Sequence, residues 1–335
     1  MSKKIGILTG GGDAPGLNAV IRAAVKRGHQ LGYEMYGIEE SFNGLMYKNK
    51  EVWRLNPKDC KGLLSRGGTI LGTTNRGDPF AIDDQGCTPA SRVKATFDEL
   101  GLDGLIVVGG DGTQTIGHKL MVDYGIPMVG VPKTIDNDLA NTDFTFGFWS
   151  AIDVATDALD RLHTTAESHD RVMILEVMGR TAGWIALYAG IAGGADCIVI
   201  PEIPYSPESI VNKIRRRQSL GRHFSIIIVA EGAVAAWEHD PDEITGTSKR
   251  FIAGSAGHKL GGLIEERLDA EIRITVLGHI QRGGSPIPFD RVLATQYGCK
   301  AIDMIEADEW GRLAVLQDGE ITSVEIETVS GAPRE

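Results

Sequence analysis
The chain contains 335 residues, and 34 Lys+Arg against 45 Asp+Glu leave a formal charge of −11 with histidine neutral. That balance argues against a nucleic-acid or anionic-membrane surface as partner, and 42% hydrophobic with 24% charged residues excludes a disordered polymer. The length accommodates about two globular domains, and 43 glycines, well above the average usage of about 7%, mark many tight loops where backbone approaches something closely.

Short β-branched runs alternate with amphipathic stretches. Ile5–Leu8 precedes a helix expected over Leu17–Arg27, and Leu105–Val108 precedes one over Thr113–Tyr124. Met128–Val131 is followed by a helix over Ala151–Leu162, where Ile152, Ala155, Leu159 and Leu162 recur at helical spacing and Asp153, Asp157 and Asp160 take the solvated faces. Val172–Val177 leads to a helix from Thr181, Ile198–Ile200 to a helix capped by Ser206 and opened by Pro207, and Phe224–Ala230 to a helix near Gly254–Leu268. Arg273–Leu277 and a helix over Asp290–Glu306 complete the pattern, and the stretch after Gly319 is an edge or tail.

Near-continuous apolar strands between helices imply α/β architecture with two parallel sheets covered on both faces. No proline-rich or charged linker separates them, so a boundary near residues 140–150 is a crossing of the chain. The longest apolar runs, such as Ser225–Ala230, fall far short of the ~20 residues of a membrane helix. The first residues lack a leader pattern, and Cys60, Cys87, Cys197 and Cys299 show no CxxC spacing, which disfavours zinc, a redox motif and a disulfide framework. The expectation is a reduced, cytoplasmic enzyme.

Three loops at strand ends carry chemistry. The first, Gly10-Gly11-Gly12-Asp13-Ala14-Pro15-Gly16-Leu17-Asn18, presents backbone amides at a strand-to-helix turn suited to phosphate. It is not a dinucleotide fingerprint, because Pro15 stands where the third glycine is needed, and it has no Walker lysine. The second, Gly109-Gly110-Asp111-Gly112-Thr113, lets a phosphate chain lie on the backbone, with Asp111 placed to hold Mg²⁺ through water. The same stretch occurs in sequences resembling NAD kinases and lipid kinases; a simple glycine turn with an N-capping aspartate is the bland alternative. The third, Val131-Pro132-Lys133-Thr134-Ile135-Asp136-Asn137-Asp138, sets two carboxylates two residues apart beside a threonine and a lysine. It suits phosphoryl transfer, with a solvated Asx turn as the competing account. Arg171, Arg180 within Met178-Gly179-Arg180, Glu231, Arg273 and the run Leu277-Gly278-His279-Ile280-Gln281-Arg282-Gly283-Gly284 also sit at strand ends. Singly these are surface charges or a structural histidine; jointly, in a protein of net charge −11, they point to an anionic ligand.

Together these motifs resemble the 6-phosphofructokinases, in order from Ile5 to about Arg312. The resemblance implies two doubly wound, mostly parallel sheet domains with the active site in the cleft between them. Residues 1–147 with about 281–325 would form the donor domain, and 148–280 with the C-terminal tail the sugar-phosphate domain. It implies ATP-dependent phosphorylation of fructose 6-phosphate at the 1-hydroxyl, with Mg²⁺. Asp136 would be the base, with Thr134 and Ile135 beside it, and Arg180 would stabilise the transferring phosphoryl group. Gly11, Gly110, Gly112, Thr113 and Lys133 would line the donor, Asp111 would serve the metal, and Arg76 fits the donor arginine with a small shift of spacing after Gly67–Gly72. Met178, Gly179 and Glu231 would hold the sugar, and Arg171, Arg273, His279 and Arg282 its phosphate, with Arg180, Ile280 and Gln281 also among the substrate-binding residues. Arg171 and Arg273 match arginines that reach in from a neighbouring subunit, so the family pattern implies a homo-oligomer, dimer or tetramer.

The donor motif is mixed. Typical ATP-using bacterial relatives carry glycine at the positions of Gly112 and Lys133, and pyrophosphate users carry aspartate and lysine; Gly112 adds no carboxylate against the α-phosphate of a nucleotide, which favours ATP. The pair resembles an actinobacterial-like or plastid-like branch that uses ATP. At the family's effector positions Arg22 and Arg54 match, whereas Asp196 replaces a glutamate and His163 an arginine, a departure from the pattern that goes with activation by ADP. Pyrophosphate-dependent transfer and a non-catalytic sugar-phosphate or nucleotide sensor are the alternatives; retention of Asp111, Asp136 and Arg180 favours the enzyme.

Overall fold
The structure is a computed structural model that describes residues 2–49, 51–82, 88–238, 253–329 and 334. Its elements, in chain order, are β1 (Lys4–Thr9), α1 (Leu17–Gln30), β2 (Glu34–Ile38), α2 (Asn43–Met46), β3 (Val52–Leu55), α3 (Ala90–Glu99), β4 (Gly104–Gly109), α4 (Asp111–Tyr124), β5 (Met128–Thr134), β6 (Phe146–Gly147) and α5 (Phe148–His169). They continue with β7 (Val172–Val177), α6 (Trp184–Ala192), β8 (Cys197–Val199), α7 (Pro207–Ser219), β9 (Ser225–Ala230), α8 (Ser255–Glu265), β10 (Ile272–Val276), α9 (Pro288–Glu306), β11 (Arg312–Gln317) and β12 (Glu320–Glu325).

The described residues divide into two compact units. One draws on Met1–Thr134, Leu139–Gly147 and Arg282–Pro333, the other on Ile135–Asp138, Phe148–Gln281 and Arg334–Glu335.

In the first unit the strands run β12-β11-β5-β4-β1-β2-β3, with β6 added to β5. The inner strands are parallel, Ile5 opposite Gly104 and Leu105 opposite Met128, and antiparallel hairpins finish the edges: β3 beside β2 and β12 beside β11. Strands β4 and β5 are buried along their whole length because helices cover both faces. Ile5, Ile7, Ile106, Val108, Val129 and Val131 share one core with residues of α1 and α9. Leu8, Leu105, Val107 and Met128 share the other with Val93 and Phe97 of α3 and Leu120 of α4. Helices α1 and α9 meet at backbone distance: a Cβ on Gly298 would lie 2.6 Å from the Val20 carbonyl oxygen.

In the second unit the order β10-β7-β9-β8 is wholly parallel. Val172, Ile174, Ile227 and Val229 pack with Ile210 and Ile214 of α7 and Leu260 and Ile264 of α8. On the opposite face Gly190 of α6 is pressed against Ile228 and Ile198, and Phe148 and Trp149 of α5 meet Tyr188 edge to face.

Most expected elements stand where the pattern placed them, and the differences have local causes. Helix α5 starts at Phe148, not Ala151, because the aromatic residues ahead of the periodic stretch are drawn into the core. The helix expected from Thr181 begins at Trp184, since Gly179 (φ 144°) and Arg180 (φ 55°) hold the preceding turn in left-handed conformations. Helix α8 ends at Glu265. Strands β2, β3 and β11 and helix α3 had no counterpart in the sequence pattern. Ser206 caps α7 by accepting a hydrogen bond from Ser209 N at 3.3 Å. The stretch after Gly319 is the edge strand β12. Cys60, Cys197 and Cys299 are free thiols, and Cys87 lies outside the described residues. Among the described residues no helix is long and apolar enough to cross a membrane.

Candidate active site
In the first unit the glycine loops after β1 and β4 are locked together. Gly10 N donates to Val108 O at 2.9 Å, and a Cβ on Gly10 would fall 2.6 Å from Thr113 Cγ2, so only glycine permits this approach. Gly11, at φ 79°, donates to Thr74 O at 3.1 Å and accepts from Thr73 Oγ1 at 2.6 Å. The loop carrying Arg76 is thereby fixed against the first glycine turn. Asn18 anchors its other end, donating to Arg66 O and Gly67 O at 3.1 Å and accepting from Ile70 N at 2.9 Å. Arg76 donates its backbone amide to Thr74 Oγ1 at 2.9 Å, and the residue is exposed.

The second loop opens α4, with Gly110 as N-cap and Asp111 in the first turn. Thr113 is buried beneath the two loops. Gln114, fully buried, places Nε2 within 3.1–3.2 Å of the carbonyls of Val107, Gly109 and Val131 and so ties the ends of β4 and β5 together. Around Gly112 the space is open: a Cβ there would meet nothing within 4 Å. Lys133, buried at the end of β5, donates Nζ to the carbonyl of Gly12, and its nitrogen lies 3.2 Å from where a Gly11 Cβ would sit. Arg282 donates to Asp13 O at 3.0 Å and packs its guanidinium on Gly12, 2.7 Å from a Cβ built there. Thus Gly11, Gly110, Gly112, Thr113, Lys133, Arg282 and the loop of Arg76 form one constellation. Thr134, also buried, accepts from Thr145 Oγ1 through its carbonyl at 2.7 Å.

In the second unit Ile135, Asp136 and Asn137 are buried, with Asn137 at φ 52°. Glu231, at the end of β9, accepts from Arg180 N at 3.0 Å and so secures the strained turn Met178-Gly179-Arg180 after β7. Gly232 completes the junction, since a Cβ on it would strike Arg180 O at 2.0 Å. Burial pushes the Glu231 carboxyl above the ordinary carboxylate range; amide donation from Arg180 opposes this, and the neighbouring charge of Asp136 adds to it. Gln281, fully buried, accepts from Met178 N at 2.8 Å, which ties the start of the same turn to the segment Gly278–Arg282. His279 and Ile280 of that segment are exposed.

Arg171 and Arg273 stand apart from this group. They flank the N-terminal ends of β7 and β10, the end opposite Arg180 and Glu231, and both engage Glu271. A six-residue strand spans roughly 17–20 Å, so one copy of this unit does not bring these arginines to its own Arg180. Gln114, Asn18, Glu176 and Glu271 are organising residues that the motif reading gave no role. The amides of Gln114 and Asn18 followed directly on their glycine loops, which was the available signal. Glu176, 2% exposed, accepts from Gly254 N at 2.5 Å and Gly257 N at 2.6 Å at the start of α8, a partnership no local spacing announces.

Among the described residues no cluster of three His, Cys, Asp or Glu side chains could hold a metal unaided. The chemistry of the donor set nevertheless fits Mg²⁺, which takes one or two carboxylates and completes its shell with substrate phosphates and water; Asp111, beside the open space at Gly112, offers one such carboxylate.

The model of the phosphofructokinase family matches residues 4–305. An ATP-dependent 6-phosphofructokinase of Chloroflexus aurantiacus is 50% identical over 339 residues, covering 98% of this chain and 91% of that protein. ATP-dependent 6-phosphofructokinase 1 of a Nostoc species is 47% identical over 329 residues, covering 97% of this chain and 91% of its own length. Among solved structures, a phosphofructokinase of Pichia pastoris superposes with a TM-score of 0.85 at 31% identity, covering 98% of this chain and 35% of that one, so this chain spans about a third of the yeast protein. Motifs, fold and these likenesses agree: the chain belongs to the phosphofructokinase family.

Proposed function
We propose that this protein transfers the terminal phosphoryl group of ATP to the 1-hydroxyl of fructose 6-phosphate, giving fructose 1,6-bisphosphate for glycolysis. Two relatives near 50% identity bear the name ATP-dependent 6-phosphofructokinase. The observation that carries the donor assignment is the open space around Gly112, which leaves room for the α-phosphate of a nucleotide and opposes it with no carboxylate.

Donor phosphates lie on Gly11, Gly110, Gly112 and Thr113, with Lys133 and Arg76 supplying positive charge. Asp111 holds Mg²⁺, which when bound neutralises charge on the donor phosphates. Asp136 takes the proton of the 1-hydroxyl as it attacks, Thr134 and Ile135 shape its surroundings, and Arg180 stabilises charge on the phosphoryl group in flight. Met178, Gly179 and Glu231 hold the sugar; His279, Ile280, Gln281 and Arg282 form the near side of its phosphate site. All donor residues belong to the first unit, and the sugar residues other than Thr134 and Arg282 to the second, which supports a donor domain of residues 1–147 with about 281–325 and a sugar-phosphate domain of 148–280 with the tail, apart from Ile135–Asp138, which group with the second unit.

Arg171 and Arg273 serve the site of a neighbouring copy, which makes the active form a homo-oligomer, dimer or tetramer. Their place at the far ends of β7 and β10 supports this assignment. We assign the enzyme to the cytoplasm, where its thiols stay reduced.

A coupled assay with Mg²⁺ and fructose 6-phosphate, supplied with ATP in one reaction and pyrophosphate in another, tests the reading. Turnover with ATP alone is expected. Turnover with pyrophosphate would reassign the donor to the influence of Lys133, and silence with both would favour the sensor.

A further inference from the structure
Glu271 is the residue between Arg171 and Arg273 in space and the neighbour of Ile272, the first residue of β10, in sequence. The parallel register of β7 and β10 sets Ile272 opposite Val172 and Arg273 opposite Met173, so Arg171 and Arg273 stand on neighbouring segments two register positions apart, with Glu271 beside Arg171. A single carboxylate oxygen, Oε1 of Glu271, takes Nη2 of Arg171 at 2.9 Å and Nη2 of Arg273. The other terminal nitrogen of Arg273 folds back to donate to the carbonyl of Ile272 at 2.8 Å. Both terminal nitrogens of Arg273 are thus turned onto their own strand, and Arg171 keeps its Nε buried with no hydrogen-bond partner. Donation by Arg171, reinforced by the charge of Arg273 and more weakly of His169, holds the Glu271 carboxyl below the usual carboxylate range, so it is an anion throughout the physiological range.

A carboxylate and a phosphate compete for the same guanidinium forks. We infer that Glu271 is an internal competitor of the sugar phosphate, holding Arg171 and Arg273 retracted on their own subunit until the phosphate of a substrate in the neighbouring site displaces it. The inference rests on the assignment of these two arginines to the sugar-phosphate site. It makes Glu271 a positioning residue that sets sugar-phosphate affinity without touching the reacting atoms. Both pairs are partly exposed, so the competition is of several-fold size and not of orders of magnitude.

The experiment is steady-state kinetics of the intact oligomeric enzyme with Mg²⁺ and ATP, comparing Glu271→Gln, Glu271→Asp and Arg273→Ala with the wild type. Glu271→Gln removes the charge and keeps the shape; the KM for fructose 6-phosphate is expected to fall ~3- to 10-fold while the KM for ATP stays put. Glu271→Asp, which retains the anion, is expected to remain near the wild-type KM. A purely structural role for Glu271 would raise that KM or move both KM values together, and either result, or no change, overturns the inference. Arg273→Ala monitors the underlying assignment separately and is expected to raise the KM for fructose 6-phosphate at least ~10-fold. If Arg273→Ala leaves that KM unmoved, the arginine assignment falls and the competitor role falls with it; if Arg273→Ala behaves as expected and Glu271→Gln does not, only the competitor role is lost.

Discussion
Lys133 gives its ammonium to the carbonyl of Gly12, so the lysine at the end of β5 binds the first glycine loop to the strand that leads to Asp136. A side chain committed in this way braces the donor loops whichever donor they accept. On the proposed assignment, selection between donors then falls to Gly112, at the open start of α4.

Gly112→Asp should therefore separate folding from donor use. A Cβ at this position meets nothing within 4 Å, and an acidic residue in the first turn of a helix is favoured by the helix dipole, so the melting temperature should not fall. The carboxylate would oppose the α-phosphate, and the KM for ATP should rise by roughly 10-fold or more. Unaltered ATP kinetics would refute the selection argument.

If Asp136 is the base, as proposed, Asp136→Ser should lower kcat by about two to four powers of ten while the sugar phosphate still binds, because what is lost is proton removal in the transition state. Equilibrium binding of fructose 6-phosphate measured beside kcat distinguishes a lost base from a collapsed site.

The half-buried Glu231 carboxyl, raised above its unfolded value, predicts a pH-dependent stability. A carboxyl raised in the fold stabilises fully below its unfolded pKa and loses that contribution as pH rises through the higher folded value, since ionisation becomes costly. Glu231→Gln keeps an oxygen for Arg180 N and removes the charge. Its melting temperature should exceed the wild type at about pH 8, with the gap closing toward about pH 4. A constant gap across that range would mean that Glu231 carries no such shift.

Gly12→Ala tests the contact between the first glycine loop and Arg282, the arginine proposed for the sugar-phosphate site. The added methyl would press on Nη1 of Arg282, the mobile end of a long side chain, so the melting temperature should change by no more than about 2 °C. Displacing that guanidinium should raise the KM for fructose 6-phosphate by roughly 3- to 10-fold. An unchanged KM would show that Arg282 does not need this seat.

Much of the architecture was legible because buried parallel strands declare themselves as apolar runs: β1, β4, β5, β7 and β9 were all visible in this way. Strands β2 and β3 were not, since Glu34–Ile38 and Val52–Leu55 are short, polar-interrupted and stabilised by pairing with each other. The tight strand-to-helix loops were equally readable wherever glycine spacing dictated them. What no motif disclosed were the partnerships that depend on register and tertiary approach. Arg171 and Arg273 share one carboxylate only because β7 and β10 align Val172 with Ile272. Asp136 raises the pKa of Glu231 across nearly a hundred residues of sequence only because the ends of separate segments converge.

After β6 the chain enters the second unit for α5 through β10 and then returns to the first for α9, β11 and β12, and this order has a consequence on the ribosome. Strand β11 lines up with β5 by setting Arg312 against Val129 and Leu313 against Gly130. Every strand of the second unit is therefore synthesised before the first unit receives the two strands that close its β5 edge. During translation the part of that edge around Val129 and Gly130, which β6 does not pair, stays open, and helix α9, which Gly298 seats against α1, arrives just before the strands that cover it. Final closure of the first unit is thus a late, long-range event, and the nascent chain leaves part of a strand edge unpaired while the strands of the inserted unit are already available to fold.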